Sequence, residues 1–219
     1  MVAGPESSSI DAVLFDLDGT LVLSPIDFPA MRGAVRALAT EEGVLEPLSA
    51  PDVLGLVREA SELVRDRPRF CARADAAILE LELEAARGAR PAPGVETTLA
   101  ALHRGGVRIG IVTRNARSVA AALLARFDLP HDVLVAREDT PRPKPAPMHL
   151  RRALVLLGVP KSRAVFVGDH AMDALGGRRA GLRTFGVPTG APDAFAAAQP
   201  DVMLGRLDEV LDHLGRAVW

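Results

Sequence analysis

The 219-residue sequence contains one cysteine, very few lysines and no long apolar run. Because an internal disulfide needs two cysteines, the single Cys71 excludes one, and the chain is compatible with a reducing compartment. No apolar run reaches the roughly 18 residues that a membrane span needs. Residues 1–9 also lack the basic start and the apolar centre of a secretory signal. We therefore expect a cytoplasmic protein with no membrane partner.

The sequence also has no excess of charge of one sign. It contains 26 basic and 28 acidic residues, with a formal net charge of −2, so nothing indicates electrostatic attraction to nucleic acid. We expect no nucleic-acid partner, and the composition does not specify an oligomeric state. The hydrophobic fraction of 48% is enough for a core in one large domain or in one domain with a modest insertion.

Short apolar runs alternate with helical patterns along most of the chain. This alternation predicts an α/β fold with a doubly wound, mainly parallel Rossmann-like sheet that is covered by helices on both faces. No Gly-x-Gly-x-x-Gly turn follows a strand, which argues against dinucleotide binding. The predicted strands are 12–15, 107–113, 133–135, 164–167, 182–187 and 202–204, and the predicted helices are 95–104, 116–127, 145–157, 171–180 and 207–214.

One long segment without any strand pattern interrupts this alternation. We predict that it is an inserted, all-helical domain at 24–90, which separates two parts of a core domain, 1–23 and 91–219. The stretch Pro91-Ala92-Pro93-Gly94 has two prolines and a glycine, and we predict that it is a stiff linker rather than part of a strand or helix. The helices predicted in the insertion, from apolar residues at helical spacing, are 27–42, 50–65 and 69–86.

The first predicted strand ends in two carboxylates. Side chains alternate along a strand, so Asp16 and Asp18 project to the same side and lie close together at the end of a low-dielectric sheet. Such a pair needs a divalent cation or a raised pKa on one carboxyl, and either outcome makes the site chemically competent. The alternative is a polar strand end that caps the next turn, but turn chemistry does not explain both acids.

The strand predicted at 107–113 also ends in polar residues. Thr113, Arg114 and Asn115 lie where the chain turns into a helix, and hydroxyl and backbone N–H groups at such a position can bind phosphate oxygens. Asn115 has two equally weighted interpretations, the N-cap of the next helix or a substrate contact. We therefore predict a phosphate-binding turn here.

A second pair of acids, Asp169 and Asp173, follows the strand predicted at 164–167. The two residues are four positions apart and hence on one face of the emerging helix. By themselves they could simply stabilise the helix dipole. Together with Asp16 and Asp18, they supply the hard oxygen ligands of the partial octahedral shell that Mg²⁺ favours. The sequence therefore predicts a Mg²⁺ site formed by these four carboxylates.

Lys144 lies in the proline-rich segment 141–147. Its four prolines pre-set an extended backbone and hold one side chain at low entropic cost. A lysine in a loop is usually solvated, but this chain uses lysine at only two positions, 144 and 161. A lysine retained in an arginine-rich chain favours a site that needs a compact point charge rather than a planar fork.

These patterns resemble four motifs of the haloacid dehalogenase-like (HAD) superfamily, in the order in which that family has them. The motifs are Asp16-Leu17-Asp18-Gly19-Thr20-Leu21, then Thr113, then Lys-Pro-x-Pro at Lys144, then Asp169 with Asp173 four positions later. The chain is nearest the phosphoglycolate phosphatase-like branch, and its helical insertion resembles a small type-1 cap. His170 departs from the pattern, because that position is often small or hydroxylic.

The resemblance implies a role for each motif residue. It makes Asp16 the nucleophile, Asp18 the general acid/base and Lys144 the partner of the nucleophile and the phosphate. The implied residues are, for catalysis, Asp16, Asp18, Thr113 and Lys144; for substrate binding, Thr113, Arg114, Asn115 and Lys144; and for the metal, Asp16, Asp18, Asp169 and Asp173.

We therefore expect a Mg²⁺-dependent phosphatase that hydrolyses a small phosphorylated metabolite through an aspartyl-phosphate intermediate. One alternative is a phosphotransferase of the sugar-phosphate mutase type, which shares the core and passes the phosphoryl group to a second sugar hydroxyl. Another is a non-catalytic binding protein with the same fold, which predicts loss of the motif acids. A dehalogenase is disfavoured, since those relatives need no metal and usually lack an acid at the position of Asp18.

Overall fold

The computed structural model describes residues 9–188 and 193–215. These residues form two compact units. One contains the described residues up to 23 and from 90 onward, and the other is Ser24–Ala89. We call the first the sheet unit and the second the helical unit, after the elements that each contains.

The described residues include eight short strands. They are β1 (Ala12–Phe15), β2 (Val22–Leu23), β3 (Arg90–Pro91), β4 (Arg108–Val112), β5 (Val133–Val135), β6 (Ala164–Gly168), β7 (Arg183–Gly186) and β8 (Val202–Met203). Six of them form one parallel sheet with the order β5-β4-β1-β6-β7-β8. The predicted α/β fold with a parallel sheet is confirmed.

Seven α-helices accompany the strands in the described residues. They are α1 (Phe28–Glu41), α2 (Val53–Ser61), α3 (Arg67–Arg87), α4 (Val95–Arg104), α5 (Arg117–Arg126), α6 (Pro147–Leu157) and α7 (Ala171–Ala180). The segment Leu207–His213 is a 3₁₀ helix. Within the part of the chain that the structure describes, none of the helices combines the length and the apolar character that crossing a membrane requires.

Strand β1 lies at the centre of the sheet, between β4 and β6. All four of its side chains are fully buried, as expected for a parallel strand that is covered on both faces. On one face, Leu14 packs in a cluster with Leu150 and Ala153 of α6 and with Phe166 of β6. The carboxyl ends of β1, β4 and β6 therefore lie side by side, at the edge where parallel α/β sheets bind ligands.

The structure corrects the predicted linker at 91–94. Arg90 and Pro91 form β3, which pairs antiparallel with β2, with Leu23 opposite Arg90 and Val22 opposite Pro91. Proline is accepted because this two-stranded pair is all edge, so its missing N–H removes no bond from a central ladder. Gly94, with φ of +79°, is the N-cap of α4. Pro91 thus belongs to a strand and Gly94 to a helix cap, and only Ala92 and Pro93 lie between the two elements.

The helical unit contains α1, α2 and α3, each of which begins at an aspartate. The N-cap carboxylates of Asp27, Asp52 and Asp66 each accept a hydrogen bond from a backbone N–H of the first turn, the usual way to satisfy such donors. Helix α2 is shorter than the predicted 50–65. The apolar faces of the three helices enclose a core of their own, which includes Met31, Val35, Leu56, Phe70 and Ile78.

Candidate active site

The strand ends place the predicted residues within one small region. Asp16 directly follows β1, and its backbone N–H donates to the Val167 carbonyl at 2.9 Å. Thr113 directly follows β4, and its backbone N–H donates to the Val135 carbonyl at 3.0 Å. Asp169 follows β6. The parallel ladders thus continue one residue past the strands and fix where these side chains begin.

Lys144 is buried between two carboxylates. Its Nζ lies 2.8 Å from Oδ1 of Asp16 and 2.7 Å from Oδ1 of Asp173, and its side chain is only 1% exposed. Burial alone would lower the pKa of the Lys144 ammonium, but the charges of Asp16 and Asp173 outweigh burial and raise that pKa. Lys144 therefore carries a fixed positive charge beside Asp16.

Three carboxylates form an acidic cluster at this point. One carboxylate oxygen from each of Asp16, Asp169 and Asp173 lies within 4.8 Å of the others. Burial, followed by the charge of Asp173, raises the pKa of Asp16 to about 7. Burial and the charges of Asp173 and Asp16 raise the pKa of Asp169 to about 8. Full ionisation of the three carboxyls would place more negative charge here than Lys144 neutralises, and their oxygen donors suit a hard divalent cation.

Two glycines make room for the cluster. A Cβ on Gly19 would lie 2.2 Å from Oδ2 of Asp169, and Gly19 has φ of +81°, a conformation that side chains rarely adopt. A Cβ on Gly168 would lie 2.4 Å from the Cβ of Asp173. The hydroxyl of Thr20 donates to Oδ1 of Asp169 at 3.3 Å. The turn after β1 is therefore shaped around the acids that follow β6.

Asp18 differs from the other three acids. Its Oδ2 accepts a hydrogen bond from the Asn115 side-chain amide at 2.5 Å, and the carboxylate is not part of the acidic cluster. The reason is geometric. The chain turns at Gly19 directly after Asp18, and the Asp18 side chain meets the end of β4, whereas Asp16 meets Lys144. The structure therefore brings together three of the four predicted metal ligands and sets Asp18 apart.

The turn after β4, predicted to bind phosphate, makes contacts within the chain that differ from those expected. The N-cap of α5 is Ala116, so the N-cap interpretation of Asn115 is wrong. The Thr113 hydroxyl accepts the Asn115 backbone N–H at 3.1 Å and is buried. The Arg114 guanidinium donates to the sulfur of Met172. The backbone of this turn is therefore hydrogen-bonded to the Thr113 hydroxyl, and the Asn115 side chain contacts Asp18.

Two histidines were not predicted to take part in the site. His149, which is fully buried on α6, accepts the Lys144 backbone N–H at Nδ1 over 3.1 Å, and its Nε2 lies 3.1 Å from the Ala136 carbonyl oxygen. Its burial could have been predicted from the sequence, because His149 and Ala153 are four residues apart and so share one face of the helix. His170 is the N-cap of α7, and its Nδ1 accepts the Met172 backbone N–H. Its departure from the family pattern therefore has a structural role.

Comparison with known proteins identifies the family. Residues 10–181 match the family model described as haloacid dehalogenase-like hydrolase. The chain is 35% identical to a plasmid-encoded phosphoglycolate phosphatase of Cupriavidus necator, over 90% of both chains. It is 31% identical to an N-acetylmuramic acid 6-phosphate phosphatase of Pseudomonas aeruginosa, over 95% of this chain and 96% of the relative. A pyrophosphatase PpaX of Halalkalibacterium halodurans is 30% identical, over 94% of this chain and 97% of the relative.

The fold has close counterparts among solved structures. The crystal structure of a predicted phosphoglycolate phosphatase from Haemophilus somnus superposes with a TM-score of 0.67, covering 95% of this chain and 99% of that one, at 20% sequence identity. An identity this low supports the fold alone, whereas the family model and the relatives at 30% and above support membership. The chain therefore belongs to the haloacid dehalogenase-like hydrolases, in the branch whose members include phosphoglycolate phosphatases.

Proposed function

We propose that this enzyme is a phosphatase that hydrolyses small phosphomonoesters through an acyl phosphate on Asp16. The observation that carries the proposal is the buried Lys144 ammonium, held 2.8 Å from Asp16 at the carboxyl end of the central strand. A fixed cation beside a carboxylate nucleophile lowers the electrostatic barrier to the approach of a phosphate anion and offsets charge that develops in the transition state. Membership of the family supports the reaction class, and the Lys144–Asp16 pair supports the assignment of Asp16 as the nucleophile.

Asp16 is the proposed nucleophile. A carboxylate oxygen of Asp16 attacks phosphorus, the bond from phosphorus to the leaving oxygen breaks, and the phosphoryl group is transferred to Asp16. The reactive form is the ionised carboxylate. Because burial and the charge of Asp173 raise the pKa of Asp16 to about 7, a neighbouring cation would increase its ionised fraction at neutral pH.

Asp18 is the proposed general acid/base. In the first half-reaction, its carboxyl proton passes to the leaving oxygen as the phosphorus–oxygen bond breaks. In the second half-reaction, the Asp18 carboxylate takes a proton from the water whose oxygen attacks the acyl phosphate, which releases inorganic phosphate and restores Asp16. The separation of Asp18 from the acidic cluster fits this role, since a carboxyl that exchanges a proton in each step must not be held ionised by a metal.

The acidic cluster is the proposed Mg²⁺ site. We assign Asp16 and Asp169 as ligands. Asp173 takes a supporting position, because Oδ1 accepts from Lys144 Nζ and Oδ2 from the His170 backbone N–H. The expected contribution of the Asp18 carboxylate to the metal shell is not retained. Bound Mg²⁺ would act as a Lewis acid that neutralises charge on the phosphoryl oxygens.

Thr113 and Lys144 are the proposed phosphoryl-binding side chains. An ammonium has three N–H donors, and Asp16 and Asp173 accept two of those of Lys144, which leaves the third for a phosphoryl oxygen. Thr113 adds a hydroxyl at the adjacent strand end. Arg114 and Asn115, which were expected to bind substrate, contact Met172 and Asp18 instead, and the proposal assigns them no substrate contact.

We propose that the helical unit, Ser24–Ala89, is the cap that selects the substrate. Its place in the chain, directly after the Asp16 strand and the β2 residues, supports this, as does its independent helical core. The named relatives act on different phosphorylated compounds. We therefore propose a small phosphorylated metabolite as the substrate class.

A metabolite screen tests the proposed function. The purified protein is incubated with phosphoglycolate, N-acetylmuramic acid 6-phosphate, pyrophosphate, a series of sugar phosphates and 4-nitrophenyl phosphate, with Mg²⁺ or with EDTA, and inorganic phosphate is measured. We expect phosphate release with Mg²⁺, its loss in EDTA and its return when Mg²⁺ is added in excess. Full activity in excess EDTA would contradict the metal site. Transfer to a sugar hydroxyl without phosphate release would support the mutase-type alternative.

A further inference from the structure

Asn115 has an unusual position for a residue that neither caps a helix nor faces solvent. It is 8% exposed, at the end of β4, and its side-chain Nδ2 lies 2.5 Å from Oδ2 of Asp18. The N-cap of the helix that follows is Ala116 and not Asn115. Its polar side chain is instead directed at the proposed acid/base.

The backbone of Asn115 is fixed on both sides. Its N–H donates to the hydroxyl of Thr113 at 3.1 Å, and its carbonyl accepts the backbone N–H of Arg137 at 3.2 Å. A side chain that starts from such an anchored backbone loses little conformational entropy when it forms its own hydrogen bond. The amide therefore gives Asp18 a preorganised partner at a defined position.

We propose that Asn115 is a positioning residue that orients the Asp18 carboxyl group toward the leaving oxygen and the hydrolytic water. The inference rests on the function proposed above. By holding Oδ2, Asn115 keeps the Asp18 carboxyl in one orientation while the proton moves from Asp18 to the leaving oxygen, and later from water to Asp18.

This role differs in kinetic terms from the substrate contact that the sequence suggested. A residue that binds the phosphoryl group is needed for every substrate alike. When a residue that positions the general acid is removed, the loss of activity should be large for a poor leaving group and small for a good one. The reason is that a good leaving group departs without a proton. The value of kcat/KM includes the breaking of the bond to the leaving group, so it separates the two roles.

The test compares an alkyl and an aryl phosphate in Asn115→Ala and Asn115→Ser. We expect kcat/KM for glycerol 2-phosphate to fall at least about tenfold, and kcat/KM for 4-nitrophenyl phosphate to fall less than about threefold, a part of the 10²- to 10⁴-fold effect typical of general acid–base catalysis. Equal losses on both substrates would overturn the inference. Using two replacements, with folding checked by thermal unfolding, keeps the test valid if one variant fails to fold.

A double-mutant cycle with Asp18→Ala supplies the second measurement. If Asn115 acts through Asp18, adding Asn115→Ala to Asp18→Ala should change kcat/KM on either substrate by less than about twofold, whereas independent effects would multiply. The isosteric Asn115→Asp, which places a carboxylate against Asp18, should be at least as damaging as Asn115→Ala. A full additional loss in the Asp18→Ala background would contradict the inference.

The two proposals fail in different ways. If the unmodified enzyme releases no phosphate from either compound or from the metabolite panel, the proposed function is wrong. If the unmodified enzyme is an active phosphatase but the Asn115 variants lose activity uniformly, only the positioning role is wrong.

Discussion

Two groups of ion pairs, one in each unit, differ in how far their cations are exposed to solvent. In the helical unit, Arg73 pairs with Glu41 at 2.6 Å and Glu42 at 3.1 Å, and the Arg73 side chain is 37% exposed. In the sheet unit, the Lys144 side chain is 1% exposed and lies between Asp16 and Asp173. Exposed ion pairs add little to stability, whereas burying an ion costs several kcal/mol that attraction only partly repays. The buried ammonium of Lys144 therefore marks a place where the chain serves chemistry rather than stability.

The comparison extends to the arginines of the helical unit. Five arginines between positions 58 and 73 make this stretch locally basic, which would favour attraction of an anionic substrate; the alternative is a solvated helix face. The structure places most of them on the surface, and Arg73 in ion pairs within its own unit. The arginines concerned are Arg58, Arg65, Arg67, Arg69 and Arg73.

The largest effect is expected at Asp16, the proposed nucleophile beside the buried Lys144. Asp16→Asn should abolish turnover and any phosphoenzyme together, because an amide cannot form the acyl phosphate. The measurement is inorganic phosphate release, with acid-quenched, radiolabelled phosphoenzyme assayed in parallel. A labelled Asp16→Asn enzyme would show that another residue is the nucleophile.

Asp18→Asn should have a smaller and different effect. The nucleophile remains, and turnover should fall about 10²- to 10⁴-fold through loss of general acid–base help. With 4-nitrophenyl phosphate, whose leaving group needs little protonation, phosphorylation should survive better than hydrolysis, so acid-quenched phosphoenzyme should accumulate. Asp16→Asn is the matched control, and turnover at the unmodified rate would contradict the role of Asp18.

The next prediction concerns His149, a buried imidazole of the sheet unit that should make stability depend on pH. Burial, followed by the charge of Lys144, lowers the pKa of His149 from its usual 6.5 to about 4. Below pH 6.5 the unfolded chain therefore binds a proton that the folded chain refuses until about pH 4. As the pH is lowered from about 6.5 to about 4, the free energy of unfolding should therefore decrease, by up to about 3 kcal/mol from His149.

The measurement for His149 is urea unfolding between pH 4 and pH 7 for the unmodified protein and for His149→Asn. The variant should lose less stability than the unmodified protein as the pH falls, although it starts from a lower value. His103→Asn, which removes an exposed imidazole, is the control. Identical pH dependence in the unmodified protein and in His149→Asn would rule out this contribution.

The smallest effect is expected in the helical unit. Replacing Arg65, Arg67 or Arg69 by glutamine, one at a time, should leave kcat/KM for the best substrate within about twofold, as expected for side chains on a solvated face. A larger loss that weakens with added salt would show that these arginines attract the substrate. Exposed cations of the helical unit would then serve function, as the buried Lys144 of the sheet unit is proposed to do.

Much of the site was predictable because its pieces are local patterns. An apolar run that ends at Asp16, another that ends at Asp169 and a lysine held among prolines can each be recognised within a few residues, and parallel strands deliver their carboxyl ends to one edge. Asn115 was not predictable in this way. Its hydrogen bond to Asp18 joins residues 97 positions apart, and its neighbours along the chain gave a helix cap and a substrate contact equal weight.

Periodicity, strand-end acids and motif order in the chain were sufficient for the α/β class, the helical insertion and the positions of the acids, because these depend on interactions between near neighbours. The folded arrangement decided which acids share a cluster, that Asp18 stands apart on Asn115, and that His149 holds the Lys144 backbone. It also decided that Gly19 must lack a side chain, since a Cβ there would meet Asp169, which follows a different strand. Distances of a few ångströms between segments far apart in sequence are set by packing, and no local pattern encodes them.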